Sequence, residues 1–147
     1  MEQSRKHLKI TSIVVLIFAS LSLINVTTSL FFGDLMNVEF PVGSAENMVM
    51  IAQIFVLAVS AILRLPHIYI GVKGLRVAKN PNSSKGHIIW AMILFVFAIL
   101  GLISPVVGLV QRTEVSENVS TLLGVLLDIA IFFDYIKHAR AISQAMK

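Results

Sequence analysis

The sequence predicts an all-α transmembrane protein: an antiparallel four-helix bundle with both termini cytoplasmic. Three observations predict it. Four apolar runs, about Ile10–Phe32, Met48–Val72, Ile88–Val110 and Val119–Ile136, hold 18 to 25 residues each, and roughly 20 suffice to cross about 30 Å of hydrocarbon as a helix. Only 14% of the 147 residues are charged and the mean hydropathy is +0.86, whereas an ordinary soluble domain is about 25% charged. Finally, the basic residues alternate from side to side of the spans. Arg5, Lys6 and Lys9 precede span one, Lys73, Arg76, Lys79 and Lys85 join spans two and three, and Lys137, Arg140 and Lys147 follow span four. The two remaining loops carry acidic residues and only Arg112, so the positive-inside rule places both termini in the cytoplasm.

Span one follows Arg5, Lys6 and Lys9, which resemble the n-region of a signal peptide. Its apolar stretch exceeds the usual 7–15 residues of such a peptide and no small-x-small site ends it, so an uncleaved helix is expected. Ser22, Asn25 and Ser29 give it a short polar face for hydrogen bonds between helices. The first outer loop, about Gly33–Asn47, has Gly33, Pro41 and Gly43 as breakers and is too short for an ectodomain.

Span two tolerates Gly71 and Gly74 and is expected to run on to about Lys79, where Asn80-Pro81 ends it. Ser83 or Ser84 is the expected cap of helix three. Helix three lacks charge but carries a small-residue face, with Ala98, Gly101, Pro105 and Gly108 suited to close helix packing. A loop of about Gln111–Asn118 then turns the chain into span four. Lys137–Lys147 has no breaker and should extend that helix along the inner surface. The four spans make one integral membrane domain over residues 1–147 and leave no room for a soluble one.

Charges inside the spans are the first place to look for function. Arg64 and Asp128 are the deepest, each nine residues from the basic residue that closes its helix, a depth of roughly 13 Å at 1.5 Å per residue. Gln53, Ser60, Arg64 and His67 share one face of helix two, and Thr121, Gly124, Asp128 and Tyr135 share one face of helix four. Equal depth favours a salt bridge between Arg64 and Asp128, read first as a structural lock and second as a conduction or coupling site. Asp134 lies shallower, with Lys137 and His138 at i+3 and i+4 as local ion partners.

Other chemistries find little support. The chain has no cysteine, which excludes disulfides, thiolate nucleophiles and cysteine metal sites. No hydrolase, zincin or phosphate-loop motif occurs, so no enzyme and no catalytic residue is expected. His7, His67, His87 and His138 all fall on the cytoplasmic side, but no His-x3-His pair selects a metal or haem site, and neither metal nor cofactor is expected. The net charge of +4 flanks the spans, where it sets topology and touches anionic headgroups rather than nucleic acid.

The stretch from His67 to Pro81, HIYIGVKGLRVAKNP, followed by an apolar helix, resembles a group of small uncharacterised four-span membrane proteins of Gram-positive bacteria. The resemblance implies the topology and a bacterial cytoplasmic membrane, and it brings no activity. The expected function is a non-catalytic accessory or interaction subunit. It would act through helix contacts with another membrane protein or a second copy and through a basic inner face. The alternative is an oligomeric channel or carrier for ions or small solutes that uses Arg64 and Asp128.

Overall fold

The computed structural model describes residues 2–32, 46–81, 85–111 and 115–146. Most of the first outer loop, the expected caps Ser83 and Ser84, and Arg112 lie outside the described residues, as does the side chain of Gln53. The described residues are helical and contain no strand: α1 (Glu2–Phe32), α2 (Glu46–Lys79), α3 (Gly86–Leu100), α4 (Ile103–Val110) and α5 (Val115–Ala145). Four stretches are long and apolar enough to cross a membrane: Glu2–Thr28, Ile54–Lys79, Gly86–Val110 and Val115–Ala145.

Helix ends follow local chemistry. α2 passes through Gly71 and Gly74 and stops at Lys79, with Asn80 N–H donating to the Arg76 carbonyl at 2.8 Å before Pro81. Arg5 of α1 then donates to the carbonyls of Ala78 at 2.9 Å and Lys79 at 2.8 Å. These carbonyls have no helical donor of their own, and a cation suits a helix C-terminus. Lys85 holds the N-cap position of α3 without a side-chain cap bond. The third span is interrupted at Gly101 and Leu102, where Leu102 N–H turns to the Ile99 carbonyl at 3.1 Å. Pro105 is the cause: it brings no N–H for the Gly101 carbonyl, and its ring crowds that carbonyl.

α1 packs most extensively on α2 and also against α5, α3 packs on α5 and α2, and α4 packs on α5. In this ring α2 and α5 lie across the middle from each other. Among the described residues the core is one-ended. Apart from Pro105, every buried side chain among the described residues falls within 8–19, 70–78, 87–91 or 132–143. Towards the other end Ile51, Phe55, Phe97 and Leu123 are all more than 60% exposed.

Two glycines and one tyrosine make the packed end. A Cβ on Gly71 would sit 2.6 Å from Leu16 Cγ, and one on Gly74 would overlap Ser12 and lie 2.7 Å from the Tyr135 ring. Only glycine lets α1 and the Tyr135 ring approach α2 so closely. Tyr135 is fully buried, and its hydroxyl donates to the Ile70 carbonyl at 2.8 Å. We expect Tyr135→Phe to cost about 0.5–1.5 kcal/mol, read as a lower unfolding midpoint in nanodiscs. An unchanged midpoint would show that the bond contributes nothing. The ring edge of His87 meets Tyr135 at 6.0 Å between centroids. His87 is buried, and neither ring nitrogen has a hydrogen-bond partner among the described residues.

Candidate functional site

Past the packed end, α1, α2 and α3 border a half-open cavity of about 560 Å³. Leu23 and Val26 of α1 and Ile93, Leu94 and Phe97 of α3 make its walls apolar. The polar lining is Ser60, Arg64 and His67 of α2, which steps of four and three residues bring onto one helical face. Arg64 and His67 are both partly buried, and the His67 ring lies 5.7 Å from that of Phe132 on α5. Tyr135 belongs instead to the packed core beneath, so the expected polar residues divide between two environments.

Asp128 is partly buried on α5 and lies near enough to Arg64 to feel its charge. Among the described residues, however, the ion pair within 4.0 Å is His138–Asp134, and the expected contact pair between Arg64 and Asp128 is not formed. The two helices lie diagonally in the ring, where Tyr135 bridges them lower down, while Arg64 lies along the wall of the cavity between α1, α2 and α3. The expected small-residue face of span three lies towards α5. Ala98 is packed against the core, Pro105 is buried, a Cβ on Gly101 would lie 3.8 Å from Val125, and one on Gly108 would overlap Asn118.

A second polar constellation joins α1 to α5 at the packed end. Asp134 and His138 are one helical turn apart, with His138 Nε2 3.2 Å from Asp134 Oδ1. Thr11 Oγ1 lies 2.6 Å from Asp134 Oδ2 and 3.0 Å from the His7 carbonyl. Its single proton goes to the carboxylate, the stronger acceptor at the shorter distance. The His7 ring stacks on His138 with centroids 4.6 Å apart and planes within 15°. Asp134 thus finds His138 and Thr11 as partners. The i, i+4 spacing of Asp134 and His138 is visible in the sequence; the convergence of His7 on them is not.

The same end is strongly basic. Lys85 and Arg140 border a groove of about 340 Å³ between α3 and α5, and Arg5, Lys6 and Lys9 line another shallow surface on α1. Fold and sites together define a helical protein of membrane-spanning length with a largely apolar cavity at mid-span that Ser60, Arg64 and His67 border. No family model matches the chain, and neither a curated protein nor a solved structure does.

Proposed function

We propose that the protein is a non-catalytic integral membrane subunit, an antiparallel four-helix bundle with both termini cytoplasmic, that works by binding another membrane protein. The observation that carries this reading is the one-ended core. It leaves the mid-span cavity of about 560 Å³ unfilled by the described side chains, with Arg64 on its wall. A cation at that depth is costly in hydrocarbon unless it is partnered. A transmembrane helix of a partner, bearing an acidic or amide side chain at the depth of Arg64, would supply both the missing packing and the missing charge. Arg5 against the end of α2 supports the antiparallel arrangement. The basic groove of Lys85 and Arg140 suits anionic headgroups of a bacterial cytoplasmic membrane.

A photo-crosslinking residue placed at Leu94, inside the cavity wall, tests the reading in cells. We expect one dominant adduct with a different membrane protein, and its loss in Arg64→Leu chains that insert at normal levels. Adducts with lipid alone, or an adduct indifferent to Arg64, would sink the proposal. One observation favours a second reading, the oligomeric channel or carrier: Arg64 and Asp128 are not locked in contact and so remain available to a permeating ion. Liposomes containing the pure protein should show no flux of protons, monovalent cations or chloride. Flux abolished by Arg64→Leu with Asp128→Leu, in a protein that still folds, would replace the subunit by the channel.

A further inference from the structure

We propose that His7, Asp134 and His138 bind a divalent transition-metal cation of the zinc class, clamping the start of α1 to α5. One ligand atom from each residue lies within 4.8 Å of the other two. Asp134 Oδ1 and His138 Nε2 are already 3.2 Å apart. At zinc–ligand distances of roughly 2.0–2.2 Å, two atoms so placed subtend about 95–105° at the metal, near the tetrahedral value. Half of the coordination sphere is therefore preformed within one helical turn.

His7 completes the set from the other helix. Its ring stacks on His138 rather than tilting towards the shared point, so loading requires a change in its side-chain angles. His7 is exposed on α1, so that rotation gives up the stack on His138 and no core packing. Thr11 fixes the second carboxylate oxygen at 2.6 Å and leaves Oδ1 to the metal. Such outer hydrogen bonds orient ligating carboxylates in established metal sites.

The donor set selects the cation class. Two imidazoles and one carboxylate suit zinc, cobalt or nickel, whereas magnesium and calcium take oxygen ligands. Three protein ligands leave a fourth position for water or an exogenous group. The Asp134 side chain is 40% exposed, so an ion has a path from the surface. Arg5, Lys6 and Lys9 share this stretch of α1 and Lys137 adjoins His138 on α5. The surrounding field is thus unfavourable to a cation, and ligand bonds must hold it. Because the ligands come from two helices, binding favours the folded state in which they meet.

The test uses the full chain without an affinity tag, stripped of metal and placed in nanodiscs. Zinc is titrated in competition with a chromophoric chelator, and cobalt is used as a visible probe of coordination. We expect one zinc per chain, a cobalt spectrum of four- or five-coordinate type, and an unfolding midpoint raised by zinc but not by magnesium. His7→Gln, Asp134→Asn and His138→Gln should each weaken binding by about tenfold or more and remove the rise in midpoint. Thr11→Val, a change in a positioning residue, should weaken binding about ten- to hundredfold, and it should lower the metal-free midpoint as well, because it removes the 2.6 Å bond to the Asp134 carboxylate. Glu2→Gln should bind like the parent. Non-saturable binding, equal stabilisation by magnesium, or saturable binding that survives His7→Gln would overturn the site. The exposed His7 makes that variant decisive, because its loss removes no core packing.

Discussion

Replacing Gly74 with leucine is expected to unpack the basic end of the protein and give the largest loss of stability of any single change considered. Even a methyl group there would overlap Ser12 and lie 2.7 Å from the Tyr135 ring. Over-filling a packed interior costs about 1–3 kcal/mol and occasionally more. Gly74→Ala should fall in that range and Gly74→Leu well above it, since a branched side chain must push α1 and α5 from α2 together. Unfolding midpoints in nanodiscs, with yield from the membrane fraction, give the measurement. If Gly74→Ala melted with the parent, the helices would be farther apart than described. Combining Gly74→Ala with Ser12→Ala should restore part of the loss, because the Ser12 hydroxyl is the atom most in the way.

The second large effect runs in the opposite direction. Arg64→Leu and Asp128→Leu should each raise the stability of the isolated protein. A central arginine or aspartate opposes insertion by about 2.5–3.5 kcal/mol on translocon scales, and a leucine favours it. Had the two residues formed a contact pair, each single change would strand an ion and the double change would rescue it. With no contact between them, though Asp128 feels the Arg64 charge, the two effects should couple only weakly. A double-mutant cycle on unfolding midpoints distinguishes the cases. Strong mutual rescue would mean that a direct pair forms in the bilayer. Stabilised variants that lose the partner adduct would show that the charges are retained for binding at the expense of stability.

Much of the fold was legible because apolar length is a one-dimensional signal. The four runs became helices, and Asn80-Pro81 marked the end of α2. Other features depend on which helix neighbours which, and periodicity does not encode that. Equal depth for Arg64 and Asp128 could be counted from Lys73 and Lys137, yet their helices lie across the ring. Gly71 and Gly74 read as merely tolerated in a membrane helix, although they form the seat for α1 and Tyr135. Pro105 read as part of a packing face and also breaks its helix. His138 and Asp134 were neighbours in sequence, while His7 reaches them from more than a hundred residues away.

The seating of Tyr135 on Gly74 also orders the protein's biogenesis. α1 and α2 are consecutive and share the most extensive contact, so they can pair as soon as both have emerged. Tyr135 is made 61 residues after Gly74, a delay of roughly 3–12 s at about 5–20 residues per second. Throughout that interval the Gly74 seat and the Ser12 hydroxyl beside it face whatever surrounds the nascent hairpin. A newborn chain therefore presents a glycine-lined notch that the finished protein hides, and the insertion machinery has several seconds in which to hold it.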